Sequence, residues 1–160
     1  FLILFSLSLN SFSFSSERIA FIDIDLLIKE TEVGKSMMKK FNERNLKDSK
    51  TLNLKKKTLI EKEKKIETLK NIISQDELQS KLVEFKNEID LYNDQKDQLI
   101  KSFDEYKNNE YKLFFDNINK VVQQYMTRNS ISILLDKKNI FIGESKHDIT
   151  SDIIQILNKK

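Results

Sequence analysis

The sequence contains no cysteine, no proline and no tryptophan, and it has only two glycines and one histidine in 160 residues. Without cysteine the chain can form neither a disulfide nor a thiolate metal site. The single histidine, His147, stands in a polar stretch where a surface position is expected, so a transition-metal site or a histidine-dependent catalytic triad lacks its residues. We therefore expect a protein that is not an enzyme and that binds no cofactor.

Gly34, one of the two glycines, stands in a Gly-Lys-Ser triplet of the kind found in phosphate-binding loops. Such a loop needs an earlier glycine, separated by four residues from the Gly-Lys pair, so that consecutive backbone N–H groups wrap the anion. The chain has Lys29 at that position, which argues against a nucleotide site. Gly34 is expected instead to mark a close approach or a slight bend of the first long helix.

The scarcity of glycine and proline also removes the residues that usually interrupt helices and shape compact loops. Charged residues make up 33% of the chain, yet the formal net charge is only +3, too weak to indicate nucleic-acid binding by itself. A chain of this length fits one small domain plus an extended element. The composition favours long uninterrupted helices in that element.

The first sixteen residues, FLILFSLSLNSFSFSS, are uncharged, apolar and rich in serine. An apolar run of about ten residues followed by small residues is typical of a signal peptide and is too short to span a membrane. Residues 1–15 are therefore predicted to be a secretion signal that lacks its basic start, with cleavage before Ser16. A buried N-terminal helix or strand is the alternative. Export would place the protein in the periplasm.

The segment RIAFID, residues 18–23, is rich in β-branched and aromatic residues and predicts a buried strand. Asp25 then occupies the expected N-cap of a helix. Asp23 and Asp25 also form the D-x-D pattern of some metal sites, but a strand end and a helix cap explain both. From there to about Asn129 the sequence has no proline, and Gly34 is its only glycine. So long a stretch without a stop signal predicts a coiled coil or a helical hairpin.

Two series of mostly apolar residues are spaced by seven, as are the core-facing positions of a coiled coil. The first series is Met38, Asn45, Leu52, Leu59, Ile66 and Ile73, and the second is Leu78, Phe85, Tyr92, Leu99, Tyr106 and Leu113. Between the two series, Ser74 with Glu77 three positions later can cap a new helix. The chain is therefore predicted to turn near residues 74–77 and to fold back on itself.

An antiparallel hairpin with this turn sets Leu59 beside Tyr92 and Met38 beside Leu113. Charge supports the pairing, because basic residues outnumber acidic ones ten to five in residues 41–73. In residues 74–118, which form the second helix of the hairpin, acidic residues outnumber basic ones eleven to six. Ion pairs between the two helices would each contribute less than about 1 kcal/mol, but together they favour antiparallel docking of these helices.

After Asn129 the pattern changes to the alternation of a strand, SISILLD. The following DKKN predicts a short turn, and IFIG predicts a second strand that ends at Gly143. The last segment, HDITSDIIQILNKK, predicts an amphipathic helix capped by Asp148 or Thr150.

Together these elements predict an α+β fold in which the chain ends form a small β-containing body and the middle forms a long arm. Residues 16–40 and 126–160 are assigned to the body, which also serves for oligomerisation. Residues 41–125 are assigned to an antiparallel helical-hairpin, or coiled-coil, arm about 50 to 60 Å long.

Three segments of the chain resemble the OmpH-like, or Skp, family of periplasmic chaperones. They are RIAFIDIDLLIKETEVGKSMMKKF, ISILLDKKNIFIGESKHDIT and DITSDIIQILNK. In that family an opening strand ends in Asp, a helix with a Gly-Lys step and a charged hairpin follow, and a strand pair and a D-I-T-x-D helix close the chain. The resemblance covers residues 17–160.

The resemblance implies a homotrimer whose strands join in a central body and whose three arms surround a cavity. It further implies that this cavity holds unfolded outer-membrane proteins without ATP and prevents their aggregation. A body with so few strands leaves sheet edges exposed, and oligomerisation would cover them. The alternative function is that of a structural coiled-coil or adaptor protein of the cell envelope.

An unfolded client calls for many weak contacts on adjustable surfaces. Apolar arm residues outside the two heptad series are the candidates, and partial burial of each is expected to contribute about 1 kcal/mol. These candidate client-binding residues are Leu46, Leu54, Ile60, Ile72, Leu91 and Ile100. In the structural alternative, the same residues drive association between arms.

A run of lysines in residues 55–65 forms the candidate electrostatic surface. Its members are Lys55, Lys56, Lys57, Lys62, Lys64 and Lys65. They are expected to keep the assembly soluble and to contact acidic clients or anionic lipid head groups, and a merely solvated helix face is the alternative. Nucleic-acid binding is not expected, because the run lacks interleaved aromatic residues and export would separate it from DNA.

Overall fold

The computed structural model describes residues 18–159, which form two strands and four α-helices. In chain order these are β1 (Arg18–Ile22), α1 (Ile24–Glu30), α2 (Glu32–Leu69), α3 (Gln75–Arg128), β2 (Ile131–Asp136) and α4 (Thr150–Asn158). Two short 3-10 turns, Lys137–Asn139 and Ser145–His147, lie between β2 and α4. The predicted secretion signal, residues 1–15, lies outside the described residues.

The helices α2 and α3 form the predicted antiparallel hairpin and are 38 and 54 residues long. The chain turns at residues 70–74, and Ser74 caps α3 as predicted, because its side chain accepts a hydrogen bond from the N–H of Glu77 (3.3 Å). At 1.5 Å per residue, α2 alone is about 57 Å long. The predicted α+β class, a helical hairpin carried by a small sheet at the chain ends, is confirmed. The limits assigned to arm and body stay a prediction.

The strands β1 and β2 form a two-stranded parallel sheet, with Ile19 beside Ile133 and Ile22 beside Asp136. Parallel neighbours need a long crossover connection, and here the whole helical hairpin supplies it. A buried cluster lies where this sheet, α1 and α4 pack against the start of α2 and the end of α3. Each large apolar side chain buried there contributes about 1.5–3 kcal/mol.

The predicted second strand at residues 140–143 is wrong, because within residues 18–159 the sheet has only β1 and β2. Asp136 starts a 3-10 turn by accepting a hydrogen bond from the N–H of Lys138 (3.0 Å). Ion pairs then hold this turn against α1 and the segment before α4. They join Lys138 to Asp25 (2.8 Å) and Lys137 to Asp148 (2.9 Å). The chain therefore leaves the sheet instead of returning beside β2.

A single extended residue, Thr31 (φ −88°, ψ 147°), separates α1 from α2. Its buried hydroxyl donates to the carbonyl of Leu27 (2.7 Å) and accepts from the N–H of Gly34 (3.1 Å), so it closes one helix and caps the next. A Cβ at Gly34 would lie 2.1 Å from the carbonyl oxygen of Ile28. The close approach predicted for Gly34 is therefore present, and it excludes a side chain.

Asn158, the last residue of α4, forms hydrogen bonds with two further backbone groups where α1 ends and α2 begins. Its Oδ1 accepts from the N–H of Glu32 (3.0 Å), and its Nδ2 donates to the carbonyl of Glu30 (3.0 Å). Both groups would otherwise lack an intrahelical partner, because helices leave free N–H groups at their starts and free carbonyls at their ends. The C-terminal helix thus helps to fix the point where the arm leaves the body.

The predicted caps of the two short helices are each displaced. Asp23, not Asp25, caps α1, because its Oδ1 accepts from the N–H of Leu26 (3.0 Å). The helix α4 has Ile149 at its N-cap and no capping side-chain bond. Asp148 instead accepts hydrogen bonds from the N–H and the hydroxyl of Thr150, the first residue of α4.

The heptad series describe the outer part of the arm but not its base. Leu59 and Tyr92 line one hollow, in agreement with the predicted pairing. Near the body the buried side chain lies one residue away from the predicted one: Met37 (3% exposed) replaces Met38 (40%), and Phe114 replaces Leu113. A straight helix drifts about 20° per heptad from a strict seven-residue repeat, and packing against the body keeps these helices from following that repeat.

Candidate binding surface

The six candidate client-binding residues are all exposed on the arm. They are Leu46, Leu54, Ile60, Ile72, Leu91 and Ile100. Helical periodicity distributes them over several faces. Ile72 lies in the turn that follows α2. Within α2, Leu54 and Ile60 are six residues apart and therefore lie on different faces of the helix. They therefore form no single continuous surface, and their role in binding stays a prediction.

Two residues of the lysine run bridge the two helices of the arm. Lys62 contacts Glu88 and lies 3.9 Å from Glu84, both on α3. The hydrogen bond to Glu88 raises the pKa of Lys62 above its ordinary value, although burial opposes this shift. Lys55 donates a hydrogen bond to the side chain of Gln95. Lys55 and Lys62 thus also hold the two helices together, and Lys62 does so through ion pairs of the kind predicted from the opposite charge of these helices.

The other four lysines of the run form no ion pair with α3 in residues 18–159. Lys57 lies 4.0 Å from Glu61 of its own helix. Lys56, Lys64 and Lys65 are exposed, and no carboxylate in residues 18–159 lies within ion-pair distance of them. Their ammonium groups are therefore available to a partner, and the predicted electrostatic role stays a prediction.

Direct ion pairs between α2 and α3 are few in the described part of the chain. Lys40 pairs with Glu110 (3.0 Å) near the body, and Lys62 makes the contacts given above. Many other pairs lie within one helix. The opposite net charges of α2 and α3 therefore attract the two helices mainly at long range and not through many direct ion pairs. Each exposed pair contributes less than about 1 kcal/mol.

Two hollows lie side by side along one flank of the arm, and we call them together the flank groove. The hollow nearer the body has a volume of about 220 Å³ and is lined by Lys55, Thr58, Leu59, Glu88, Leu91 and Tyr92. The hollow nearer the turn has about 240 Å³ and is lined by Lys62, Lys65, Ile66, Leu69, Lys81, Glu84, Phe85 and Glu88. Both have apolar side chains in their linings and charged ones beside them.

The body exposes a second apolar region that the sequence reasoning did not identify as a site. Phe141 is 98% exposed and Ile142 is 83% exposed. In the sheet, the paired residues Ile19 and Ile133 are both exposed as well, and so is Leu135. The apolar IFIG segment was the available signal, but it was interpreted as a paired strand.

The Gly-Lys-Ser and D-x-D motifs both lie in local structure that accounts for them. Gly34 and Lys35 lie inside α2, where Lys35 pairs with Glu32 (3.3 Å), so they form no phosphate-binding loop. Asp23 and Asp25 both face lysines of the turn after β2. In residues 18–159 no group of three or more His, Cys, Asp or Glu side chains could hold a metal ion. No helix of this range combines the length and the hydropathy needed to cross a bilayer.

Comparison with known proteins identifies the family. The family model described as outer membrane protein (OmpH-like) matches residues 18–157. The chain belongs to the OmpH-like family. The match includes the sheet, both long helices and most of α4, so the resemblance noted in three sequence segments is confirmed. No curated protein matches the chain.

A solved structure shares the architecture of this OmpH-like chain. It is the crystal structure of a candidate outer membrane chaperone (OmpH-like) from Caulobacter crescentus CB15. The two chains superpose with a TM-score of 0.80 at 16% sequence identity, over 89% of this chain and 85% of the other. At this identity the likeness shows a common fold, and it confirms the hairpin arm with its small sheet as the OmpH-like fold.

Proposed function

We propose that this OmpH-like protein is a chaperone that holds unfolded outer-membrane proteins in the periplasm without ATP and prevents their aggregation. The observation that carries the proposal is the set of exposed apolar side chains that are distributed over an arm whose helices are joined by other residues. Many weak sites on such an arm can contact clients of different sequence, whereas one deep pocket would select a single sequence. Membership of the OmpH-like family supports the same function.

The proposal includes assembly as a homotrimer through the body. Within residues 18–159 the outer edge of β2 has no partner strand, and Phe141 is almost fully exposed. Open sheet edges and exposed apolar side chains are the features that association covers. Phe141 and Ile142 lie in a bend, so this segment offers another copy two exposed apolar side chains rather than a strand. Three arms around a common body would then enclose the client.

The exposed lysines of the arm support a further part of the proposal. Lys56, Lys64 and Lys65 present ammonium groups to solvent, where acidic stretches of a client or anionic lipid head groups would meet them. Each such contact contributes less than about 1 kcal/mol and weakens as salt is added. These lysines therefore favour encounter and solubility more than tight binding.

Light scattering during dilution of an unfolded outer-membrane protein tests the function. One trimer per client is expected to suppress most of the scattering, whereas a purely structural coiled coil would leave it unchanged. The triple variant Leu54→Ser, Ile72→Ser, Leu91→Ser is expected to lose much of the suppression while it keeps its helicity. Its matched control replaces three exposed polar residues of the arm, Asn53→Ser, Asn87→Ser and Asn93→Ser, and is expected to behave like the unaltered protein. Unchanged scattering with the unaltered protein would refute the function.

A further inference from the structure

The two hollows of the flank groove are separated by a distance that suits an extended chain. Leu59 lines one hollow and Ile66 the other. Seven residues of α-helix advance about 10 Å along the arm. In a polyproline-type extended chain, a common conformation of unfolded polypeptides, residues three apart lie on the same side and about 9 Å from each other. Such a chain can therefore place one apolar side chain in each hollow.

The composition of the flank argues against a third helix as the occupant. A helix packed in coiled-coil fashion needs an apolar stripe at heptad spacing on the surface that receives it. The α2 positions that follow the flank at this spacing are mostly polar: Leu54, Thr58, Glu61, Lys65 and Thr68. The facing α3 positions are also mostly polar: Glu84, Glu88, Leu91, Gln95 and Gln98. The arm of a second copy would therefore bury charges here and gain few apolar contacts.

The charge along the flank groove is positive once its internal pairs are taken into account. Lys62 contacts both acidic residues of the groove, Glu84 and Glu88. Lys55 is bound only to the neutral side chain of Gln95. Lys65 has no carboxylate within ion-pair distance in residues 18–159. An occupant with a carboxylate beside its apolar side chains is therefore favoured over a basic one.

We propose that the flank groove binds an extended polypeptide segment with two apolar side chains three residues apart and an acidic residue next to them. This inference rests on the proposed chaperone function and names the part of a client that this surface takes. The hollows hold the apolar side chains, while Lys55 and Lys65 attract the carboxylate. Because any segment with this simple pattern fits, the groove can serve many clients and still disfavour basic segments.

Photo-crosslinking compares the two flanks of the arm. A benzophenone amino acid replaces either Leu91, which lines the groove, or Ile100, which lies nine residues further on and so on the opposite side of α3. Both positions are exposed, at 67% and 52%. The probe is a short synthetic peptide with leucines three residues apart and glutamates between them, and a second peptide has lysine for every glutamate. The glutamate peptide is expected to crosslink severalfold more from Leu91, and more than the lysine peptide does.

Fluorescence anisotropy with the same peptides tests the charge. Lys65→Glu is expected to weaken binding of the glutamate peptide about three- to fivefold, the effect of one exposed ion pair. Lys56→Glu is the matched control, because Lys56 lies nine residues before Lys65 on the opposite side of α2, and its effect is expected to be smaller. Equal crosslinking from both flanks, or equal effects of the two substitutions, would overturn the groove assignment.

The aggregation assay, run in parallel on the unaltered protein, separates this inference from the function on which it rests. Suppression without a preference for Leu91 would refute the groove and leave the chaperone function in place. A preference for Leu91 without suppression would support a peptide-binding groove and refute the chaperone function.

Discussion

The side chain of Asp148 fixes the segment before α4, which lies beside β1. Its carboxylate accepts hydrogen bonds from the N–H (3.0 Å) and the hydroxyl of Thr150 and from the ammonium of Lys137 (2.9 Å). The next residue, Ile149, donates its N–H to the carbonyl of Phe21 in β1 (3.0 Å). Burial tends to raise the pKa of Asp148, but these hydrogen bonds outweigh it and hold that pKa below its ordinary value of 3.8.

Asp148→Asn is therefore expected to have a pH-dependent effect on stability. A carboxyl group whose pKa is lower in the folded state stabilises the fold above its unfolded pKa, and this contribution is lost as the pH falls through the folded pKa. At neutral pH the substitution should lower the free energy of unfolding by about 1 kcal/mol. The loss should shrink as the pH falls below about 4.

Urea unfolding of both proteins at neutral and at acidic pH measures this difference. Asp116→Asn is the control, because Asp116 is exposed and has no ion pair in the described residues. Its effect is expected to be small at every pH. A loss for Asp148→Asn that is the same at both pH values would contradict a role of the carboxylate charge.

Among the elements, the base of the arm depends on an aromatic cluster between α2 and α3. Phe41 of α2 packs edge-on against three rings of α3, those of Phe103, Tyr106 and Tyr111, with centroids 5.5 to 6.4 Å away. Arg44 lies over the ring of Tyr106, 4.8 Å from its centre. Aromatic pairs of this kind contribute about 0.5–1.5 kcal/mol each beyond their buried area. They anchor the long helices beside the body.

Met37 and Met38 are adjacent in α2, and substitution of each one tests which of the two packs in the core at the base of the arm. Met37→Ala is expected to lower the free energy of unfolding by about 2–5 kcal/mol, because it leaves a cavity in the core. Met38→Ala removes the same side chain from an exposed position and should change stability by less than about 1 kcal/mol. Thermal or urea unfolding of the two variants measures both values. A larger loss for Met38 would instead support the strict heptad register.

At the scale of the whole molecule, the body of one chain combines a small sheet with exposed apolar side chains. Within residues 18–159 the sheet has two strands, and a sheet of this size is marginal without further strands or packing. Its exposed apolar residues, together with Phe141 and Ile142, lie at the body rather than along the arm. Association through the body would cover them and leave the arms free, which is the geometry that the proposed chaperone needs.

Multi-angle light scattering is expected to give a mass of three chains for the unaltered protein. Phe141→Asp should dissociate the trimer, because it places a charge in the proposed contact between bodies. Leu46→Asp is the control, since Leu46 is also exposed but lies on the arm, and it should keep the trimeric mass. A monomeric mass for the unaltered protein would contradict the proposed assembly and the cavity between arms.

Local patterns were enough to locate the two long helices and the two strands of the sheet. The absence of proline, the heptad series and the Ser74 cap act over a few residues, so they predicted both long helices and the turn between them. The candidate client-binding residues lie outside the heptad series and are exposed, and their role in binding stays a prediction. The OmpH-like identity also depended on short segments near the chain ends.

Packing between distant parts of the chain decided the rest. The parallel pairing of β1 with β2 joins residues more than a hundred positions apart, and no local pattern specifies it. The shift from Met38 to Met37 arises where the arm meets the body, and the ion pairs of Lys137 and Lys138 draw the IFIG segment away from the sheet. The flank groove exists only because two helices lie side by side. Contacts of this kind depend on which surfaces meet in three dimensions, and residue spacing along one helix does not contain that information.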